Sequence, residues 1–413
     1  LLTSSAASDV YKRQVYKRNG KPRLVIDYRK LNLAVVPIAY PLPHLETTLQ
    51  SLGNQKYFST LDLLSGYHQI PIRAADTHKT AFSTGQGLYE FCRVPFGMTT
   101  SGAAMQFSME RTLSGLNNKI CVVYIDDVIV FGKTKNEHDK NLGLVLNRLQ
   151  EHGFKINADK CVFRKTEVEC LGHLLSDTGL RPNPSRVECL LSKPIPKTPK
   201  QVKSFLGLCS YYRRFVPKFA NIAKPLNELL KKTSKFKWSD ECQNAFETLI
   251  KHITSAPCLS HPDFEKPFII TTDASIDGIG AVLSQNFDGV EKPIAFYSRS
   301  TNKAERKYPI FDLEGLAIKC SLQKWRYYLL GYEVHVRTDN QPIIYLLKSK
   351  ECSGRISKYL TTIMEFNVKF HYLPGKNNVV ADYLSRSFKP NAENEITKNL
   401  SLIHISEPTR HSA

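Results

Sequence analysis

Apolar and polar residues alternate with two different periods along the chain, and the first 180 residues combine both. Short runs rich in Val, Ile and aromatic residues predict β-strands. They cover Arg23–Tyr28, Tyr57–Leu63, Ile120–Ile125 and Val128–Phe131. Apolar residues then recur at helical spacing at Leu142, Val145, Leu146 and Leu149, and the following Gly153 is typical of a helix end.

A proline-rich segment, Ser192–Pro199, separates this region from a mostly helical one over about residues 200–255. From Pro267 onward the pattern predicts three strands, a helix and a further strand. These elements cover Phe268–Thr272, Gly280–Ser284, Ile294–Ser298, Leu313–Leu330 and Val334–Thr338. The pattern as a whole predicts two α/β domains joined by a helical connector.

The composition indicates folded domains and a polyanionic partner. Of the 413 residues, 42% are apolar and 10% are aromatic, which permits hydrophobic cores and excludes wholesale disorder. No run of roughly 18 apolar residues is present, so the sequence predicts no membrane span. Lys and Arg outnumber Asp and Glu by 57 to 38, for a formal net charge of +19. The ten Cys include no CxxC pair, which argues against a zinc site and for a reducing intracellular compartment.

The sequences of the two chain ends indicate an origin outside the natural protein. A DNA sequence that encodes Asp9–Gln14 has a reverse complement that encodes Leu400–Ile405. Extended over Ser4–Gln14 and Leu400–Arg410, this match resembles transposase adapters of sequencing libraries. We therefore expect 1–14 and 400–413 to lie outside the natural sequence, and about 15–399 to be a fragment of an open reading frame.

A first group of acids lies at strand ends in the first α/β region. Asp62 ends one predicted strand, and Asp126 and Asp127 lie between two apolar runs that predict a β-hairpin. Carboxylates at such positions suit Mg²⁺, and two such ions can activate a primer hydroxyl and stabilise leaving pyrophosphate. A solvated turn is the alternative, because turns also favour Asp.

Several motifs, taken in their order along the chain, resemble those of reverse transcriptases. Their sequences are similar to those of long-terminal-repeat retrotransposons of the gypsy class. They are DYRKLN, LDLLSGYHQI, VPFGMTTSG, YIDD, GFKINADKCVF and LGHLLS. The resemblance covers essentially all of 15–399. It implies a mixed α+β and α/β multidomain fold: right-hand polymerase fingers and palm, a helical thumb or connection, and a ribonuclease H-like domain.

The resemblance also implies individual roles in the polymerase domain. Asp62, Asp126 and Asp127 match the metal-binding catalytic triad of the palm, and Tyr67 matches the residue that excludes a ribose 2′-hydroxyl. Four residues would contact the incoming nucleotide and one would donate a proton to pyrophosphate: Phe96, Gly97, Lys17, Arg23 and, as the donor, Lys160. The alternative for Lys17, Arg23 and Lys160 is that they are ordinary solvent-exposed residues with no contact to the nucleotide. The middle motif reads Thr-Thr-Ser-Gly-Ala-Ala where the family more often has Asn-Ala-Pro, which affects the expected fidelity or efficiency.

A second group of acids resembles the ribonuclease H active site. Asp273 and Asp339 end predicted strands, Glu314 opens a predicted helix, and Asp382 lies in a late helix. Each alone also fits a cap or a turn. By resemblance the four acids bind two divalent ions and hydrolyse the RNA of an RNA:DNA hybrid. The loop 374–378 lacks the histidine that relatives often carry there. Product release would then depend on Lys376 or on no comparable residue. His371, which precedes the loop, is interpreted as structural.

The connector is rich in lysine and in aromatic residues. Its Lys residues are interpreted as tracking the phosphates of the template-primer duplex, and its aromatic residues as core. The lysines are Lys193, Lys197, Lys200, Lys203, Lys218, Lys224, Lys231, Lys232, Lys235 and Lys237, and the aromatics are Phe205, Tyr211, Tyr212, Phe215 and Phe219. A solvated helix face over an aromatic core is the alternative.

The sequence therefore predicts a retrotransposon Pol fragment with RNA-directed DNA polymerase and ribonuclease H activities. Its expected cofactor is Mg²⁺, with Mn²⁺ as an alternative. Its expected partners are an RNA template, a DNA primer, RNA:DNA hybrid and deoxynucleoside triphosphates, with no membrane. A catalytically silent nucleic-acid-binding protein is the competing hypothesis. We expect an intracellular protein of cytoplasmic virus-like particles. The predicted domains are 15–180 (fingers and palm), 181–266 (thumb and connection), 267–388 (ribonuclease H-like) and 389–413 (tail).

Overall fold

A computed structural model describes residues 12–16, 22–43, 48, 52–53, 55–83, 87–231, 236–341 and 354–373. The chain divides into two compact units. The first comprises 1–192 and 257–265, and the second comprises 193–256 and 266–413. In the described residues, no helix is long and apolar enough to cross a membrane.

The first unit contains eleven strands and four helices among its described residues. The strands are β1 Lys12–Tyr16, β2 Pro22–Ile26, β3 Tyr57–Asp62, β4 Phe82–Ser83, β5 Leu88–Tyr89, β6 Cys121–Tyr124, β7 Asp127–Gly132, β8 Val162–Lys165, β9 Glu167–Cys170, β10 His173–Ser176 and β11 Gly179–Pro182. The helices are α1 Arg29–Ala34, α2 Ser101–Thr112, α3 Lys135–Glu151 and α4 Pro184–Leu191. The hairpin of β1 and β2 includes residues 12–14, which the sequence analysis placed outside the natural sequence.

The central sheet of the first unit has the strand order β6-β7-β3-β8, and all its pairings are antiparallel. Helices α2 and α3 pack against it through a core that includes Leu61, Met105, Met109, Val130 and Val145. Apolar residues fill nearly all of β6 and β7 and are buried, whereas Asp62 and Asp127 lie at strand ends and keep some exposure. This sheet is the platform for the first group of acids.

Helix α3 shows how the sequence sets local boundaries. The Thr134 side chain accepts a hydrogen bond from the backbone N–H of Glu137, which satisfies one of the free donors at the helix start. At the other end, Gly153 has a φ of +74° just beyond the last helical turn. The predicted helix end at Gly153 is therefore confirmed, because glycine adopts this left-handed conformation without steric cost.

The second unit contains a five-stranded sheet preceded by helices. The helices are α5 Pro199–Tyr211, α6 Phe219–Ile222, α7 Lys224–Glu228, α8 Asp240–Thr254, α9 Ile310–Lys324, α10 Arg326–Leu329 and α11 Gly354–Ile363. The strands are β12 Phe268–Ala274, β13 Gly278–Phe287, β14 Val290–Ser300, β15 Glu333–Thr338 and β16 Asn367–Tyr372. Their order is β14-β13-β12-β15-β16, with parallel pairing of β12 with β15 and of β15 with β16.

Most of the predicted connector packs within the second unit. Arg213 Nη2 donates to the Ser298 carbonyl oxygen at 2.7 Å, and the Ala220 N–H donates to Ser298 Oγ at 3.0 Å. These contacts attach the helical segment to the edge strand β14. The aromatic core prediction is confirmed at four positions: Phe205, Tyr212, Phe215 and Phe219 are buried, whereas Tyr211 is exposed. Lys218 is also buried, so the interpretation of the connector lysines as residues that track phosphates is wrong at this position.

The chain returns from the second unit to the first over residues 257–265. There Leu259 forms a pair of backbone hydrogen bonds with Leu180, at 2.8 and 2.9 Å. His261 Nε2 lies 2.8 Å from the Ser176 carbonyl oxygen, which adds a side-chain contact to the neighbouring strand β10. The short return segment therefore extends the small sheet of β9, β10 and β11.

Gly179 makes this return possible, and its replacement should be costly. Its φ is +142°, and a Cβ atom there would lie 2.2 Å from the Leu259 carbonyl oxygen. We expect Gly179→Ala to lower the free energy of unfolding by about 2–4 kcal/mol, because overpacking and a strained backbone add. Urea unfolding measures this loss.

Gly207→Ala is the matched control, since nothing lies within 4 Å of a Cβ atom at this helical position. Alanine there should stabilise helix α5 by roughly 0.5–1 kcal/mol. Equal urea midpoints for the two variants would contradict the close approach at Gly179.

Candidate active sites

The first carboxylate group forms where β3 meets the hairpin of β6 and β7. Asp62 ends β3 and lies directly opposite Asp127, which begins β7. Asp126 occupies the turn between Tyr124 and Asp127, so all three acids lie at one end of the central sheet. The predicted hairpin with acids at its turn is confirmed.

The electrostatics of this group reflect loss of water first and crowding of like charges second. Part of the Asp127 side chain is exposed, yet removal of water by the surrounding protein raises its pKa to about 6, and the nearby carboxylates of Asp126 and Asp62 add to the rise. Lys160 opposes this effect. Its Nζ donates to both oxygens of Asp62 at 3.1 Å. The structure thus places Lys160 beside the acids, and its role as a proton donor stays a prediction.

Aromatic side chains adjoin the acids. Tyr67 lies in the short helical turn after Asp62, and its ring contacts the Phe96 ring edge to face, with 5.0 Å between centroids. Gly97 has a φ of +96°, and its carbonyl oxygen accepts a hydrogen bond from Asn32 Nδ2 at 2.9 Å. Asn32 belongs to the DYRKLN motif, but sequence reasoning assigned it no role. It fastens the Phe96–Gly97 segment by also accepting from the Thr99 N–H at 3.0 Å.

Gly66 shows why the turn after Asp62 is so compact. A Cβ atom at this buried position would lie 3.3 Å from Asp126 Cβ and 3.2 Å from Met105 Cε. Both distances are tighter than ordinary van der Waals contact. A glycine therefore lets the Tyr67 turn pack directly against the hairpin of β6 and β7.

Four predicted site residues or loops lie wholly or partly outside the described residues. Lys17, Asp382 and the loop 374–378 fall outside them entirely. Arg23 pairs with Val15 through the backbone of β2, while its side chain is outside the description. His371 is exposed on β16, and its ring lies 4.8 Å from that of His335.

The second carboxylate group forms at the carboxyl ends of two parallel strands. Asp273 lies in β12, Asp339 follows the adjacent parallel strand β15, and Glu314 lies in the first turns of α9. One ligand oxygen from each residue lies within 4.8 Å of the others. Asp273 and Glu314 are 7% and 3% exposed, and Asp339 is exposed. Three of the four predicted acids are therefore brought together.

The environment of Glu314 strongly perturbs its pKa. Burial raises its pKa to about 8, and the neighbouring Asp273 and Asp339 contribute. Hydrogen bonds from the Ala274 N–H, at 3.0 Å, and from the Thr338 side chain act in the opposite direction. Its other oxygen, Oε2, is buried with no hydrogen-bond partner among the described residues.

These features fit a divalent cation. Clustered buried carboxylates are unfavourable by themselves, because each loses water and repels the others. Hard carboxylate oxygens in this arrangement are the ligands that small divalent cations take, and a cation would compensate both costs.

A Ser-His-Asp arrangement in the first unit has a structural explanation. Ser59 Oγ lies 2.9 Å from His138 Nε2, and His138 Nδ1 lies 3.3 Å from Asp139 Oδ1. Ser59 and His138 are fully buried, so no substrate reaches the hydroxyl. Ser59 Oγ also accepts from the Arg164 N–H, and Arg164 pairs with Asp139. The group therefore ties β3, β8 and α3 together.

Comparison with known proteins matches each unit separately. Residues 13–175 match the model of reverse transcriptase (RNA-dependent DNA polymerase). Residues 238–336 match the RNase H-like domain found in reverse transcriptase. The latter match starts just before helix α8, in agreement with the packing of that helix in the second unit. The chain thus combines a reverse transcriptase domain with an RNase H-like domain.

Similar proteins extend this assignment over nearly the whole chain. The Pol polyproteins of transposons 297 and gypsy from Drosophila melanogaster are 42% and 39% identical over 94% of this chain. The Tf2-3 polyprotein of Schizosaccharomyces pombe is 36% identical over 90%. The chain is therefore similar over nearly its whole length to part of the retrovirus-related Pol polyproteins of retrotransposons. It spans 37% and 38% of the length of the two Drosophila relatives.

Solved structures agree with the fold. The foamy viral protease-reverse transcriptase in complex with double-stranded DNA is 28% identical and aligns with a TM-score of 0.79. That alignment covers 88% of this chain and 64% of the foamy viral one. The same type of enzyme in complex with RNA/DNA hybrid aligns with a TM-score of 0.76 at 27% identity, over 92% and 52% of the two chains. The fold class expected from the sequence is confirmed.

Proposed function

We propose that this chain is an RNA-directed DNA polymerase and a ribonuclease that degrades the RNA strand of RNA:DNA hybrids. The observation that carries the proposal is the pair of separate carboxylate groups, one in each compact unit and each at strand ends. Two sites suit two reactions on the same nucleic acid. The similarity to retrotransposon Pol polyproteins supports this assignment.

In the first reaction, the primer 3′-hydroxyl oxygen forms a bond to the α-phosphorus of a deoxynucleoside triphosphate and pyrophosphate leaves. Asp62, Asp126 and Asp127 would hold divalent cations, for which we propose Mg²⁺ with Mn²⁺ as an alternative. Bound cations would lower the pKa of the attacking hydroxyl and offset charge on the leaving group. Lys160, close to Asp62, would supply positive charge and a proton at the pyrophosphate oxygen.

In the second reaction, a water oxygen attacks an RNA phosphorus and the 3′ oxygen of the preceding nucleotide leaves. Asp273, Glu314 and Asp339 are the residues that would hold the cations here. We retain Asp382 as the fourth acid of this proposal. The chain's own contribution is the fixed backbone: β12, β15 and α9 hold the three carboxylates in place before the substrate arrives.

Nucleic acid binding has support from charge and from similar proteins. The formal net charge of +19 favours contact with phosphates. Lys200 and Lys203, on helix α5, are exposed. The foamy viral enzymes were solved with double-stranded DNA and with RNA/DNA hybrid, and we propose the same classes of ligand here. We also propose that the protein acts in cytoplasmic virus-like particles.

One gel tests the two activities together. A labelled DNA primer is annealed to a differently labelled RNA template and incubated with the protein, deoxynucleotides and Mg²⁺, then with EDTA. We expect a longer primer and a shorter template, both lost with EDTA. Unchanged strands, with the duplex still shifted on a native gel, would instead support a catalytically silent binding protein.

Tyr67 offers a test of the nucleotide site. Its ring is held by Phe96 in the turn directly after Asp62. By the proposed function it limits the space beside the sugar, so Tyr67→Val should admit a 2′-hydroxyl. We expect the ratio of ribonucleotide to deoxynucleotide incorporation to rise at least ten-fold, equivalent to about 1.4 kcal/mol. Single-nucleotide extension measures the ratio, and an unchanged ratio would contradict this role.

A further inference from the structure

The turn that carries Asp126 contains a strained residue. Ile125 has a φ of +58°. A β-branched side chain in the left-handed region clashes with its own backbone, so such a residue persists only where its surroundings enforce it. Two acids of the first carboxylate group directly follow this residue, and its conformation therefore sets their direction.

The surroundings that enforce this turn include one buried glutamine. Gln106, on helix α2, is 0% exposed. Its Oε1 accepts a hydrogen bond from the Ile125 N–H at 2.6 Å, and its Nε2 donates to the Val123 carbonyl oxygen at 3.3 Å. A single planar amide thus contacts the backbone on the strand side and on the turn side of the hairpin.

A further contact fixes the orientation of that amide. Gln106 Nε2 also donates to Glu110 Oε1 at 2.6 Å, and the other Glu110 oxygen accepts from the Tyr40 hydroxyl. Because Glu110 accepts, the nitrogen of Gln106 must face it and the oxygen must face Ile125. Helix α2 therefore presents one acceptor to the turn in a defined direction.

We propose that Gln106 is a positioning residue for polymerisation, which holds Ile125 in its left-handed conformation and so directs Asp126 and Asp127 toward Asp62. This inference rests on the proposed polymerase function. A donor and an acceptor are both required, because Val123 offers a carbonyl and Ile125 offers an N–H. Glutamate would supply only acceptors and would repel Glu110, and methionine would fill the volume without either hydrogen bond.

The experiment compares Gln106→Met with the parent protein in single-turnover primer extension. We expect the maximal extension rate to fall at least ten-fold, with little change in binding of the primer-template and no change in RNA degradation. Faster hydrogen exchange of the hairpin amides 123–128 should accompany the loss. Gln285→Met is the matched control, since Gln285 is also 0% exposed but lies in the second unit. It should leave extension unchanged.

A second pair of variants separates positioning from general loss of packing. Ile125→Gly and Ile125→Ala both remove the apolar atoms beyond Cβ, but only glycine adopts the left-handed conformation without strain. Combined with Gln106→Met, glycine should recover more extension than alanine. Equal extension of the two double variants would overturn the proposal.

These experiments distinguish failure of the positioning role of Gln106 from failure of the proposed polymerase function. Normal extension by Gln106→Met, with extension abolished by Asp126→Asn, would overturn the positioning role and leave the polymerase function intact. Absence of Mg²⁺-dependent extension by the parent protein would overturn the function and, with it, this inference.

Discussion

Asp126→Asn is expected to abolish primer extension while RNA degradation continues, and Asp339→Asn is expected to do the reverse. Each residue belongs to a different carboxylate group, and each group lies in a different compact unit. Asparagine keeps the size of the side chain but removes the negative charge that a cation requires. We expect the affected rate to fall at least a hundred-fold, equivalent to about 2.7 kcal/mol of lost transition-state stabilisation.

Both activities should be measured on one hybrid substrate with separately labelled strands. The unaffected activity of each variant is its own control for folding and for nucleic acid binding. If either single substitution removed both activities in a folded protein, the assignment of two separate sites would be wrong.

Glu314→Gln should abolish RNA degradation and yet stabilise the metal-free protein. The Glu314 carboxyl is 3% exposed and lies close to Asp273 and Asp339. Glutamine retains an oxygen for the Ala274 N–H and removes one of three crowded charges. At pH 8 we expect a gain in the free energy of unfolding on the order of 2–4 kcal/mol.

The sign of the pH dependence follows from the raised pKa of Glu314, about 8 in the folded state against an ordinary 4.5. The folded state binds this proton more tightly than the unfolded state does, so stability is lost as pH rises between these values. Glutamine has no such proton. The stabilisation by Glu314→Gln should therefore be larger at pH 8 than at pH 6.

Thermal unfolding in EDTA at both pH values checks this expectation. Asp339→Asn is the comparison, because Asp339 is exposed and its neutralisation should stabilise less. Mg²⁺ should then raise the melting temperature of the wild type more than that of Glu314→Gln. A Glu314→Gln protein with the same pH slope as the wild type would contradict the burial argument.

The sequence predicted the platforms of both sites because their strands are strongly patterned. Runs of Val, Ile and Phe around Asp126 and before Asp273 leave the acids as the only charged residues of 120–132 and 268–274. An acid that ends an apolar strand lies where the strands of the sheet end, so the positions of Asp62 and Asp273 followed from the pattern. The antiparallel and parallel pairings that bring the acids together required the resemblance to a family.

Other features could not be predicted from the pattern. Gln106 looks like an ordinary helix residue, since polarity alone does not distinguish a solvated amide from a buried one that binds a turn. Asn32 is likewise polar in a short helix, and its partner Gly97 is distant in sequence. The packing of the connector against β14 depends on contacts of Arg213 and Ala220 with Ser298, for which the chain has no local signal.

The return of residues 257–265 to the first unit affects how the two activities could be separated or exchanged. A protease that cuts once in the joint at 192–198 would leave Leu259 paired with Leu180, so the nicked halves should still co-purify. For the same reason, a single recombination point between the two domains would transfer residues 257–265 together with the second unit, although they pair with strand β11 of the first. Chimeric proteins that exchange one domain should therefore need compatible residues at positions 180 and 259.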